Sequence, residues 1–370
     1  MWDALPGRTL IDEGLEPGAM PQAWFPMSLN PMSTARAVLA GLPLLTMLAL
    51  MATTLTDEVE RVSWVVLPVV LLSWALGVLQ MVGGPESALY LHAITNRGLA
   101  VGFFANANHL ATLLVIGTPI AAMLIEKTLK GRNLATGYAF IALAAYIGLA
   151  ALGITLTGSV AGILLLPVAA LPSLFLLPGE KPRTRAFGGL SSIAVAAAAI
   201  FFSIGVLGTS LDEGALSRPG IWRTTWEGIE TFWPLGSGLG TFPTVYPVFE
   251  NPNELTSRFV NHAHNDYLEL LFEAGIAGAI LMLAALASWV FATVAVWRHG
   301  DSVTAWARAA SIVLGILLVH SVFDYPLRTP ALMVVAGFYG FVLARGVRAA
   351  RATQGETLTQ YQDGRAGVRR

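Results

Sequence analysis

Nine stretches of this chain are apolar for long enough to cross a lipid bilayer, which takes about 20 helical residues each. They fall near 35–55, 63–83, 108–126, 134–157, 160–178, 186–208, 275–297, 303–323 and 329–347. Each is uniformly apolar rather than alternating, which predicts helices and excludes barrel strands. Composition points the same way. Hydrophobic residues make up 55% of the 370 and charged residues only 12%, where a soluble domain carries about 25% charged. The reading is an all-α polytopic membrane protein with about nine transmembrane helices. The chain has no cysteine, so disulfides, thiol nucleophiles and thiolate metal sites are excluded.

Basic residues set the orientation. Lys127, Lys130 and Arg132 follow the third stretch, Lys181, Arg183 and Arg185 the fifth, and Arg298 the seventh. Arg345, Arg348, Arg351, Arg365, Arg369 and Arg370 fill the tail. With nine alternating spans these connections share one side, and the positive-inside rule makes it cytoplasmic. The expected organisation is an extracytoplasmic segment over 1–34 and helices 1–6 over 35–208. One long extracytoplasmic loop, 209–262, then separates spans 6 and 7. Helices 7–9 occupy 263–348 and a cytoplasmic basic tail 349–370. Residues 1–34 show no basic start followed by an apolar core, the pattern of a signal peptide. An outward segment leading into a helix implies further spans upstream.

Function in such a chain is sought where ionisable residues sit at membrane depth or at its rim. His92, His109, His262, His264 and His320 all fall near the outer face, leaving only His299 inside. Arg8, Arg36, Arg97, Arg218, Arg223, Arg258 and Arg328 also lie outside, against the inward bias of basic residues. A guanidinium's planar fork suits phosphate. Pairing with acidic residues of the long loop is the bland alternative for any one arginine. That loop also holds Trp222, Trp226, Phe232, Trp233, Phe242, Tyr246 and Phe249, suited to the membrane interface or to stacking on sugar rings. "PLGSGLGTF" lacks the βαβ setting of a dinucleotide fingerprint. Gly236, Gly238 and Gly240 therefore read as turn residues.

Three shorter polar sites stand at the outer ends of spans. Arg97, Asn106, Asn108 and His109 lie at the mouth of the third, where Asn108 can cap the helix. Thr157 and Ser159 form the turn between the fourth and fifth. His320, Asp324, Tyr325 and Arg328 follow the eighth. There Asp324 and Arg328 read either as a structural ion pair or as a pair that holds Arg328 against phosphate. In "NHAHNDYLELLFEAG" (261–275), Asp266 and Glu269 have the spacing of a capping box. That places His264 just ahead of a helix start, where backbone N–H groups favour anions. His262 and His264 could share a metal, but no further ligands follow at convincing spacing. No metal site and no cofactor are expected.

"RGLAVGFFANANHLA", "SRPGIWRTTWEGIETFWPLGSGLGTF", "HAHNDYLELLFEAGIAG" and "HSVFDYPLRTP" occur in this order. Together they resemble the O-antigen ligase and polymerase superfamily of bacterial polysaccharide enzymes, from about residue 95 to 340. The resemblance implies a GT-C-like inner-membrane glycosyltransferase with its active site facing the periplasm. Its donor would be a glycan on polyprenyl diphosphate. Transfer would be inverting and metal-independent, to a hydroxyl of a lipid or glycan acceptor such as lipid A core. Nucleic acid has no part in it. Many members carry an arginine after the serine of a "TxSR" pattern; this chain has Val160 after Ser159, so that arginine's role is not carried over.

On this resemblance the expected catalytic residues are His264 and Arg218. An imidazole titrates near neutral pH, at about 6.5, and suits an acceptor hydroxyl. Arginines aimed at the departing diphosphate stabilise its charge. Arg97, Asn106, Asn108, Arg223, Asn265, Asp324 and Arg328 are the expected substrate contacts. His264 can serve as a base or as a diphosphate contact. Two other classes compete: a transporter or flippase of lipid-linked glycans, and a non-catalytic subunit of a polysaccharide assembly. Transporters favour polar, interrupted helices at the midplane and internal repeats; here the polar residues cluster at the rim and no clear repeat is found.

Overall fold

The structure, a computed structural model, describes residues 5–8, 27–53, 58–132, 136–177, 217–254, 259–298 and 304–367. Among these residues the regular structure is helical: α1 Pro31–Ala40, α2 Leu42–Thr53, α3 Glu58–Val82, α4 Ala107–Arg132, α5 Thr136–Thr157, α6 Val160–Leu174, α7 Arg218–Phe232, α8 Phe242–Val245, α9 Asp266–Arg298, α10 Ala305–His320 and α11 Pro330–Gly367. Short 3-10 turns stand at Tyr246–Phe249, Pro252–Glu254 and Pro326–Arg328. The apolar stretches expected from the sequence fall on these helices, except 186–208, which lies outside the described residues, as do Lys181, Arg183, Arg185, Arg258 and His299.

Among the described residues, six helical segments are long and apolar enough to cross a bilayer: Pro31–Thr53, Val59–Val82, Ala107–Lys130, Gly137–Thr157, Asp266–Arg298 and Pro330–Ala352. Val160–Leu174 and Ala305–His320 are apolar but shorter. Large side chains such as Val65, Leu72, Ile141, Ile280, Leu283 and Phe291 point away from the protein. Apolar surface of that extent needs lipid rather than water. The chain is a multi-pass membrane protein.

Two compact units make up the chain. One comprises Met47–Ala199, Ser288–His320 and Val334–Arg370. Its centre is α4, against which α3, α5, α6 and α10 pack. The buried side chains along α4 are almost all apolar, among them Leu110, Leu114, Ile116 and Ile120. At its start Asn106 is the cap: its Oδ1 accepts from Asn108 N at 2.9 Å. The cap is thus Asn106 and not Asn108, because the helix begins at Ala107, two residues before the start that a cap at Asn108 would set. Ser159 caps α6 by accepting from Gly162 N at 3.0 Å, and Thr157 Oγ1 donates to Ile154 O at 2.6 Å. Both side chains are buried and serve helix ends.

The other unit comprises Met1–Thr46, Ile200–Ala287 and Ser321–Met333. Its core is aromatic: Phe232, Phe242, Tyr246 and Phe272 pack with Ile221, Ile229 and Ala263. Ring pairs such as Phe232–Phe272 (5.6 Å, edge-on) and Phe242–Tyr246 (4.9 Å, stacked) fix their relative angles. Most aromatics of the long loop thus build a core, while Trp226 and Trp233 are exposed. The glycine-rich turn docks on the end of the first helical segment of α9. Ser237 N donates to Phe272 O at 2.9 Å, Gly238 N to Glu273 O at 2.8 Å and Ile276 N to Pro234 O at 2.8 Å. The first two bonds satisfy carbonyls, and the third an amide, freed where α9 breaks at Gly275 (φ 52, ψ −131). A Cβ on Gly275 would strike Pro234 O and Gly236 N. Gly275→Ala therefore combines a backbone region that costs roughly 1–3 kcal/mol with a steric clash. The expected result is a lower melting temperature in detergent, read by thermal unfolding, with Gly340→Ala, where a Cβ meets nothing, as the unaffected control.

Candidate active site

The start of α9 carries three acids, Asp266, Glu269 and Glu273, spaced to share one helix face. All three are buried. Facing them is Arg328, from the Pro326–Arg328 turn. Its Nη1 donates to Glu273 Oε2 at 3.0 Å, and its Nε lies 3.1 Å from Glu269 Oε1 and 3.5 Å from Asp266 Oδ1. Burial opposes the charge on Arg328, but Glu269, Glu273 and Asp266 outweigh it and hold the guanidinium protonated more firmly than an ordinary arginine.

The same carboxylates fix the neighbouring backbone. Asp266 Oδ2 accepts from Ser321 Oγ (2.8 Å) and Leu327 N (3.1 Å), while Asp266 N donates to Ser321 O (2.9 Å). Glu269 accepts from Ala263 N at 2.8 Å and lies 2.9 Å from His262 Nδ1. Ala263 O accepts from the Trp222 indole at 2.9 Å. These contacts replace the capping box read from the sequence. Asn265 is the cap, its Oδ1 accepting from Tyr267 N and Leu268 N at 3.0 Å each. Asp266 is already helical, so residue 268 and not Glu269 takes the third helical position. The expected substrate contact Asn265 thus has its side-chain oxygen committed to the helix.

His264 follows this clamped peptide with φ 49, the single non-glycine residue at positive φ among the described residues. Such backbone persists only where its surroundings enforce it, and it clusters at functional sites. His264 Nδ1 lies 3.3 Å from Asp324 Oδ1. Asp324 is fully buried, accepts from Tyr325 N at 3.0 Å, and sits 3.7 Å from Arg218 Nη2. A carboxylate only accepts, so the proton between them belongs to Nδ1, and in the neutral ring Nε2 keeps its lone pair. His264 and Arg218 are each about 30% exposed, at 29% and 30%. The Tyr325 ring lies against both imidazoles, 4.0 Å from His262 and 5.2 Å from His264.

Of the residues expected from the sequence, His264, Arg218 and Asp324 come together here. Asp324 and Arg328 do not pair with one another: Asp324 serves His264 and Arg218, while Arg328 serves the three acids of α9. Arg223 is exposed on α7. Arg97, Asn106 and Asn108 belong to the other unit. There Arg97 Nη1 donates to Pro85 O at 3.0 Å and its guanidinium lies over Tyr90. Among the other outer arginines, Arg8 is buried and donates to the carbonyls of Pro6, Gly236 and Met27. Glu273 was not singled out from the sequence, and His262, Tyr325 and Trp222 were named there without a role beside His264. The signal that could have found Glu273 was the single-face spacing of three acids at the start of an apolar helix.

Residues 145–283 match the O-antigen ligase family model. The resemblance to the O-antigen ligase and polymerase superfamily is thereby shown, over a range that includes Arg218, Trp222, His262, His264 and the acids of α9. Asp324 and Arg328 lie beyond it. No curated protein matches the chain.

Removing the cation from this buried cluster leaves its carboxylates facing each other. Breaking a buried ion pair from one side costs on the order of 3–5 kcal/mol. Arg328→Ala is expected to lower the melting temperature strongly and to expose the 259–273 segment to proteolysis. Arg328→Lys, which restores charge but not the planar fork, is expected to recover part of that stability.

Proposed function

We propose that this protein transfers a polyprenyl-diphosphate-linked glycan to an acceptor hydroxyl at the outer face of the bacterial inner membrane. The observation that carries the proposal is the buried Asp324 carboxylate set between His264 Nδ1 and Arg218. It orients the imbalance a glycosyl transfer needs: a lone pair on one side and a guanidinium on the other. The family match supports ligase- or polymerase-type chemistry.

In the proposed reaction the acceptor oxygen attacks the anomeric carbon as His264 Nε2 takes the hydroxyl proton. The bond from that carbon to the phosphate oxygen breaks, and polyprenyl diphosphate leaves with the electron pair. Attack from the face opposite the leaving group inverts the anomeric centre. Arg218 faces the diphosphate and offsets its growing charge. Asp324 holds the imidazole in the tautomer that presents Nε2 and stabilises the imidazolium once it forms. Arg328 acts one layer behind, by fixing the chain on both sides of Asp324 and His264.

Transfer assays in proteoliposomes with the lipid-linked donor test this. His264→Ala is expected to lower kcat by about 10²–10⁴ and Arg218→Ala by about 10²–10³. Asp324→Asn is expected to lower kcat with KM little changed, since it acts through His264. Undiminished transfer by both His264→Ala and Arg218→Ala would overturn the assignment. Glycan profiles of a deletion strain separate the acceptors. A single repeat unit left on the lipid core marks a polymerase, and a core without glycan marks a ligase.

A further inference from the structure

A cavity of about 420 Å³ lies in the unit built around α4, lined by Val59, Trp306, Val342, Arg345, Arg348 and Ala349 among others. That volume is within the range of ligand-sized clefts, about 300–1,000 Å³. Its polar groups all carry positive character. Arg345 and Arg348 stand three residues apart on α11, so both present to one face. Arg345 is half-buried with its guanidinium over the Phe341 ring at 5.6 Å, and Arg348 is exposed. Trp306 and Ala307, also in the lining, belong to the first turn of α10, where backbone N–H groups have no partner within the helix. The Trp306 Nε1 is buried and donates to no acceptor among the described residues. The remaining lining is aliphatic.

The cavity's depth in the bilayer follows from α11. Its apolar run begins at Pro330 and ends among Arg345, Arg348 and Arg351, so these arginines stand where the span leaves the hydrocarbon. Arg351 lies over the Phe291 ring at 5.6 Å and is not among the residues that line the cavity, whose cations are Arg345 and Arg348. An anion held by two guanidiniums, an indole N–H and a helix start, beside aliphatic walls and at the surface of a bilayer, is best matched by a lipid headgroup. We infer that this cavity binds the phosphate group of an anionic membrane phospholipid, with Arg345, Arg348 and the Trp306 indole as its contacts and the aliphatic wall against the glycerol and first methylenes. The catalytic proposal plays no part in this inference.

Native mass spectrometry of the full chain in detergent tests it, with phosphatidylglycerol, phosphatidylcholine or inorganic phosphate added in parallel. The wild type is expected to retain phosphatidylglycerol over phosphatidylcholine by roughly ten- to thirtyfold, the effect of two basic residues at an anionic surface. An Arg345→Ala/Arg348→Ala variant is expected to lose that preference. Arg348→Gln changes an exposed side chain and Trp306→Phe removes one N–H; each is expected to lower the preference by roughly three- to tenfold. Both keep the test open should the double variant fail to fold. Equal retention of the two lipids by the wild type would overturn the inference, as would a preference unchanged in Arg348→Gln and Trp306→Phe. Retention of inorganic phosphate as tight as that of phosphatidylglycerol would also overturn it, by assigning the cavity to a soluble anion.

Discussion

Arg328 faces three buried carboxylates, and the geometry around His264 rests on that arrangement. Three acids on one face of a helix repel each other, and burial makes each charge costlier. A guanidinium meets this need better than an ammonium, because its planar fork can address several oxygens at once. The consequence is geometric as well as energetic. Arg328 belongs to the short turn after Asp324, while the acids belong to the first turns of α9. Pairing them sets the separation of two chain segments that are far apart in sequence.

Asp324 and His264 are placed by this ionic layer. Asp266 bonds to Ser321 on one side of Asp324 and to Leu327 on the other, so the carboxylate is bracketed. Glu269 takes the Ala263 amide, and the Trp222 indole takes the Ala263 carbonyl, so the residue before His264 is held at both ends. The positive φ of His264 is maintained by these fixed neighbours. Preorganised sites work in this way: groups that touch substrate are held by groups that do not. The same logic explains the break at Gly275. It ends the acid-bearing turns of α9 where the glycine-rich turn can cover their last carbonyls.

The helices were legible because a bilayer leaves the backbone no alternative over a long apolar run. His264 and Arg218 stood out only together with the other histidines and arginines near the outer face, and the family resemblance, not their place at the rim, set them apart. The acids of α9 were not legible. Asp266 and Glu269 fit the spacing of a capping box, and spacing does not show which residue starts the helix. Asn265 starts it, which frees Asp266 for Ser321 and Leu327, 55 and 61 residues away, and Glu269 for Arg328. Long-range pairings of that kind leave no local pattern. The outer arginines show the same limit. Arg8 on carbonyls, Arg328 on carboxylates and Arg218 beside Asp324 are alike in sequence and differ only in what the fold brings to them.

That difference divides the arginines by role. Arg328 is bound at 3.0 Å to Glu273 and lies 3.1 Å from Glu269, so its charge is already committed. Arg218 approaches Asp324 only to 3.7 Å, close enough for attraction but too long for a hydrogen bond. Its donors are not spent on the carboxylate that keeps it in place. On the proposed reading this is what a diphosphate-facing group requires: a cation positioned by charge, with its hydrogen bonds left for the ligand. The carboxylates nearby sharpen the requirement. Asp266, Glu269, Glu273 and Asp324 outnumber Arg218 and Arg328, so an approaching diphosphate meets no general excess of positive charge. On the proposed reading, recognition of the donor's phosphates would then depend on directed bonds from Arg218 rather than on the field of the site, and a lysine at 218, with a point charge and no fork, would not replace it.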